Sequence, residues 1–209
     1  MEEMANVIAF PTARTVALSL CLTCSACISI EKYPDTWAAP QTHVSGCPDL
    51  TGTYQTEGSV TPEPTAEEAQ LGERERLDMD LFDAEGATSV IIAGPKDGAI
   101  NVTALQDETI LSQITLEEEK WFFWKSGHFK FMCRSGQVLV LWHDSADAFQ
   151  GVALGGSSET RSYGKAVDGS LIVHTVFRSG GLTLLFPYYA SHEKWAFFPP
   201  APQHQKQSP

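Results

Sequence analysis

Residues 161–178 read RSYGKAVDGSLIVHTVFR, and how this stretch is parsed decides the fold. Val167-Asp168-Gly169 is a turn signal between two short apolar or alternating runs, 161–167 and 170–178. In the second run one strand face carries Leu171, Val173, Thr175 and Phe177, and the other carries Ile172, His174 and Val176. Both faces are largely apolar, which predicts a strand deep in the core. Working outward, similar short runs occur at 88–93, 99–105, 110–116, 120–124, 129–133, 137–142, 182–187 and 194–198. Between them lie Pro95-Lys96-Asp97-Gly98, Lys125-Ser126-Gly127, Arg134-Ser135-Gly136 and Ser179-Gly180-Gly181. Two- and three-residue turns join antiparallel neighbours. The expected fold class is therefore mainly β, an antiparallel meander forming a curled sheet, small barrel or sandwich.

Upstream of Gly86 the pattern changes. Residues 57–85 hold ten carboxylates against Arg74 and Arg76. Pro62 and Pro64 precede Thr65-Ala66-Glu67-Glu68, a capping box with Thr65 as N-cap and Glu68 at N3. One short acidic helix is expected near residues 65–84, weakened in its middle by Gly72. A solvated helix face accounts for the charge, and the spacing lacks the oxygen-ligand pattern of a calcium loop.

The whole chain has 209 residues, enough for one domain with a tail at each end. Its 14 basic residues face 26 acidic ones, a formal charge of −12. No basic stripe exists to hold phosphates, so a nucleic-acid partner is not expected.

Only Thr15 to Ala26, TVALSLCLTCSA, is apolar enough to meet a membrane. Its 12 residues fall short of the roughly 20 that a spanning helix needs. They suit the apolar region of a secretory signal: Arg14 precedes them and the small residues Ser25 and Ala26 close them. The competing reading is a short buried helix.

Five cysteines divide into Cys21, Cys24 and Cys27 in or just after this segment and Cys47 and Cys133 far downstream. No further Cys or His cluster completes a metal shell around the first group, so no metal site is expected. Cys24-Ser25-Ala26-Cys27 resembles the lipobox of bacterial lipoprotein signal peptides, with Cys24 where Leu is usual and Cys27 as the acceptor. The resemblance implies cleavage after residue 26 and a thioether-linked diacylglycerol, usually with an N-acyl chain, on Cys27. More than one acyl chain is what stable anchoring requires. Ile28 in place of an Asp implies the outer membrane, facing the periplasm, with the membrane as partner through the anchor.

In an oxidising compartment the two remaining cysteines, Cys47 and Cys133, read as a disulfide. The loop of about 87 residues would contribute roughly 4–5 kcal/mol in the chain-entropy model. Two buried free thiols are the alternative. The expected organisation is a signal peptide at 1–26, a polar tether at 27–46 with Pro34 and Pro40, a single β-rich domain at 47–198, and a disordered proline-rich tail at 199–209.

The opening Cys47-Pro48-Asp49-Leu50-Thr51-Gly52-Thr53-Tyr54 resembles that of uncharacterised proteobacterial envelope lipoproteins, whose mature domain begins Cys-Pro-Asp-Leu-Ser/Thr-Gly-x-Tyr. Asp168-Gly169-Ser170-Leu171 and Trp195-x-x-Phe198 fit the same layout. The resemblance implies an exported, mostly β domain and supplies no catalytic residues.

For chemistry, Trp142-His143-Asp144 with Asp147 is the most suggestive cluster, since a His beside carboxylates can act as a base. Neighbours on a strand face opposite ways, however, and a polar turn after 137–142 is the plainer account. His174 reads as a satisfied core imidazole, and His192-Glu193 lacks a second His for a zinc helix. Trp121, Phe122, Phe123 and Trp124 suit core packing or a ligand platform. No nucleophile elbow, phosphate loop or nucleotide fingerprint occurs, so no cofactor is expected. The leading expectation is a lipid-anchored envelope protein with a non-enzymatic binding or structural role toward an envelope protein or small apolar ligand. The alternatives are an envelope hydrolase near His143, Asp144 and Asp147, and a lipocalin-like carrier.

Overall fold

The computed structural model describes residues 26–42, 46–62, 77, 84, 86–119, 130–149, 153–183 and 186–202; for residues 26, 27, 141–149, 153, 154, 183 and 186 the backbone alone is described. Eleven strands form one mixed sheet. They are β1 (Ala26–Ser29), β2 (Gly52–Gln55), β3 (Ser59–Thr61), β4 (Ser89–Lys96), β5 (Ala99–Gln106), β6 (Thr109–Glu118), β7 (Lys130–Arg134), β8 (Gln137–Phe149), β9 (Ala153–Lys165), β10 (Leu171–Thr183) and β11 (Phe186–Phe198). Their spatial order is β1-β11-β10-β9-β8-β7-β6-β5-β4-β2, with β3 also on β11.

The alternation read from the sequence builds this sheet. In β4 and β5 the residues Val90, Ile92, Ile100, Val102 and Ala104 are buried, while Ile91 and Asn101 between them are exposed. Period-2 burial curls the sheet around one core, filled by Tyr54, Phe131, Phe198, Leu50, Leu77 and Leu171 among others. Tight turns fall where Gly and polar residues allow positive φ: Asp97 (φ 53) and Gly98 (φ 75), then Ser135 (φ 53) and Gly136 (φ 75). Two consecutive positive φ values suit a two-residue hairpin because they match the strand twist.

The meander order holds from β4 to β11, but two pairings are parallel rather than antiparallel. β6 and β7 run the same way, Glu117 opposite Lys130 and Glu118 opposite Phe131, and β1 runs parallel to β11. A parallel pair needs a crossover rather than a hairpin, and the long connection from Glu118 to Lys130 supplies it. The strand expected at 120–124 lies in that connection, outside the described residues. The helix expected near 65–84 is likewise outside the described residues, except that Leu77 is helical and fully buried and Ala84 is buried.

Two other sequence readings are corrected. Residues 143–147 and Ser179-Gly180-Gly181, expected as turns, lie inside β8 and β10. β8 to β11 are each 13 residues long and extend as an antiparallel flap beyond the core. Glycines survive there because they face each other, Gly156 opposite Gly180 and Gly155 opposite Gly181, beneath the aromatic pair on β11. A Cβ on Gly155 would lie 2.6 Å from the Tyr188 hydroxyl, and one on Gly180 would touch the Tyr189 ring at 3.5 Å.

Residues 27–46, expected as a polar tether, carry β1 and then a strap against the sheet as far as the description reaches. Gln41 N–H donates to the Lys165 carbonyl at 2.7 Å, and Val167 N–H to the Ala39 carbonyl at 2.9 Å. The physical reason is aromatic: Tyr33 and Trp37 pack on Trp195 and Phe197 of β11. The proline-rich tail likewise stays in register for its first residues. Gln55 N–H donates to the Pro199 carbonyl at 3.0 Å and Ala201 N–H to the Thr53 carbonyl at 2.8 Å, with Tyr54 bridged to Pro200. The ladder of strands is not closed, yet this seam laces its two ends together.

Candidate functional site

The motif opening the domain folds into a self-contained corner. Asp49 Oδ1 accepts the Thr51 N–H at 2.9 Å, and hydrogen bonds from Thr51 hold the Asp49 carboxyl below its usual range. Thr51 Oγ1 accepts the Gly94 N–H at 3.1 Å, and Leu50 N–H donates to the Gly94 carbonyl at 3.0 Å. Tyr54 turns back so that its hydroxyl donates to the Leu50 carbonyl at 2.8 Å. Its ring then crosses Gly52, where a Cβ would lie 2.8 Å from the ring. Burial, with the Asp49 charge adding, pushes the Tyr54 phenol up to about 12. Asp49, Leu50, Thr51, Gly52 and Tyr54 are thus all accounted for by local architecture.

Cys47 and Cys133 form a disulfide, Cα to Cα 5.1 Å, that ties the entry into this corner to β7. The Glu118 carboxylate lies beside the two sulfurs. The disulfide engages both thiols, so neither is offered to an ion in this state.

The cluster at His143 is placed by register. A bulge between Leu141 and His143 sets His143 opposite Glu159, Asp144 opposite Ser158 and Asp147 opposite Gly155. His143 and Asp147 share one register set and Asp144 falls in the other. Their side chains lie outside the description, as do Trp121, Phe122, Phe123 and Trp124. Beside this stretch, buried Arg161 pairs with Glu159, Nε to Oε1 2.7 Å.

A more elaborate constellation lies where the sequence suggested only a core imidazole. His174 on β10 stands directly opposite Trp195 on β11 and stacks on its indole, centroids 3.9 Å apart at 12°. His174 Nε2 lies 3.2 Å from Glu193 Oε2. The Trp195 Nε1–H donates to the Glu31 carbonyl at 2.9 Å, and Thr61 Oγ1 donates to Glu31 Oε1 at 3.2 Å. Tyr33 meets Trp195 edge-on at 5.3 Å and donates its hydroxyl to the Ala38 carbonyl at 2.5 Å. Burial pushes the His174 pKa below its ordinary value, and Glu193 opposes the shift without cancelling it. Every polar group named here points at another protein group. The constellation is therefore a clasp that holds the strap onto β11, and residue spacing alone could not reveal it because its partners come from four separate segments.

Among the described residues, two surfaces stand out. A shallow groove of about 390 Å³ runs along the seam, lined by Thr53, Gln55, Ser89, Leu105, Asp107 and Pro202. Its lining is mostly apolar surface and presents a single carboxylate, Asp107. The second surface is the outer tip of the flap, where Ile28, Leu182 and Tyr189 are exposed at 59%, 46% and 42%. Cys27 lies here as well, in β1, its Cα opposite Ala190.

No protein-family profile, curated protein or solved structure matches this chain. Fold and site together define its class: a mainly β domain, one curled mixed sheet stapled by a disulfide, with β1 laid parallel along β11.

Proposed function

We propose that this is a lipid-anchored protein of the bacterial cell envelope, carried by Cys27 on the outer membrane and facing the periplasm, with a binding or structural rather than catalytic role. The observation that carries the reading is Cys24-Ser25-Ala26-Cys27 at the end of a 12-residue apolar segment. The Cys47–Cys133 disulfide supports it, since such a bond persists in an oxidising compartment. The opening motif and the His174 clasp are engaged in structural contacts, which supports a structural or binding role for the parts of the domain they occupy. The core packed with Tyr54, Phe131 and Phe198 favours it over a lipocalin-like carrier, whose barrel mouth would be open and apolar. Intact mass of the protein made in a bacterium, with and without Cys27→Ser, tests the anchor. Acyl mass lost in the variant is the expected result; the same mass apart from the substitution overturns the reading.

A further inference from the structure

We propose that the outer tip of the flap, Ile28 with Leu182 and Tyr189, rests on the lipid surface, so that the domain lies against the membrane instead of standing off from it. The inference rests on acylation of Cys27. It follows from where that residue sits. A free tether over residues 27–46 would let the domain wander on the order of 25 Å from its anchor. Cys27 is instead a member of β1, hydrogen-bonded to β11 in register: Ala26 opposite Tyr189, Cys27 opposite Ala190, Ile28 opposite Ser191. Adjacent strands are about 5 Å apart, so the anchored residue is one strand-width from Ala190, the neighbour of Tyr189 on β11. An acyl chain entering the bilayer at Cys27 brings the edge of the flap to the interface with it.

What the flap presents there matches that environment. Tyr189 is opposite Gly180, and Leu182 is opposite Pro187, two residues along the same face of each strand. Alternation from core residues Val173 and Ala196 puts Leu182, Tyr189 and Ile28 all on the outer face. Ile30, just beyond β1, is 70% exposed. Clustered exposed aliphatic groups with a Tyr beside them are unusual on a chain otherwise rich in carboxylates, and Tyr favours the headgroup level of a bilayer. Arg178, opposite Ser191 and so in the same row as Ile28, adds a cation suited to phosphate headgroups. Gly156 and Gly180, on that same outer face, leave little side chain to lift the tip off a flat surface.

The test uses acylated full-length protein in vesicles of phosphatidylethanolamine and phosphatidylglycerol doped with brominated phosphatidylcholine, a short-range quencher of indole fluorescence. Tyr189→Trp and Leu182→Trp each add a reporter at the tip, and Ile110→Trp adds one on the exposed β5–β6 hairpin. Two tip positions guard against one substitution failing to fold. The expected result is loss of most of the added emission at either tip position, with the Ile110→Trp emission kept. Acylated protein whose tip reporters keep their emission overturns the proposal and leaves the anchor standing, and equal quenching at Ile110→Trp overturns it too. Intact mass of the same samples, taken first, separates these outcomes from failure of the anchor itself, since protein without acyl mass removes both.

Discussion

At the residue scale the domain's first corner shows how a short motif can be specific without being a site. Gly52 is required because the Tyr54 ring crosses it, and Tyr54 crosses it to reach the Leu50 carbonyl. Gly52→Ala is expected to lower unfolding free energy by about 1–3 kcal/mol, through displacement of the ring, as read by urea denaturation. Tyr54→Phe removes one buried hydrogen bond and is expected to cost about 1–2 kcal/mol in the same assay. The tyrosine also has a pH signature. Its folded pKa, near 12, lies above the unfolded value of 10.0, so its contribution is complete below pH 10 and fades as pH rises toward 12. Tyr54→Phe should therefore show a shallower alkaline loss of stability than the parent. Sequence alone picked out these residues by resemblance, but their reasons were illegible: nothing in Gly-x-Tyr says that the ring folds backward.

At the scale of elements, legibility followed locality. The β4–β5 and β7–β8 hairpins were readable from Asp97-Gly98 and Ser135-Gly136, because a tight turn is decided by its own residues. The flap was not. Ser179-Gly180-Gly181 looks like a turn until Gly155, Gly156, Tyr188 and Tyr189 are placed across from it, and those neighbours are distant in sequence. The strap was missed for a similar reason: prolines and polar residues suggested a tether, whereas Tyr33 and Trp37 find partners on β11. The clasp should also respond to acid. Because burial holds the folded His174 pKa below its ordinary 6.5, its stabilising share is present above that pH and lost as pH falls through the folded value. Protection of the amides of residues 31–41, measured relative to their intrinsic exchange at each pH, is expected to fall on acidification below about pH 6.5, and His174→Gln is expected to flatten that response.

For the whole molecule, two distant closures hold a sheet whose strands would otherwise splay. The Cys47–Cys133 bond spans 86 residues, and replacing both cysteines with alanine is expected to cost about 3–5 kcal/mol by urea unfolding. The seam is the other closure. Removing residues 199–209 deletes its two backbone hydrogen bonds and should lower stability by about 1–3 kcal/mol, while baring the edge of β2 to pairing with other chains. Concentration-dependent light scattering of the truncated protein measures the second effect. The seam also orders events in time. Thr53 cannot find its partner until Ala201 has been synthesised, and contacts so far apart in sequence form slowly. A seam that joins residues so distant in sequence is therefore completed after the local hairpins of the sheet.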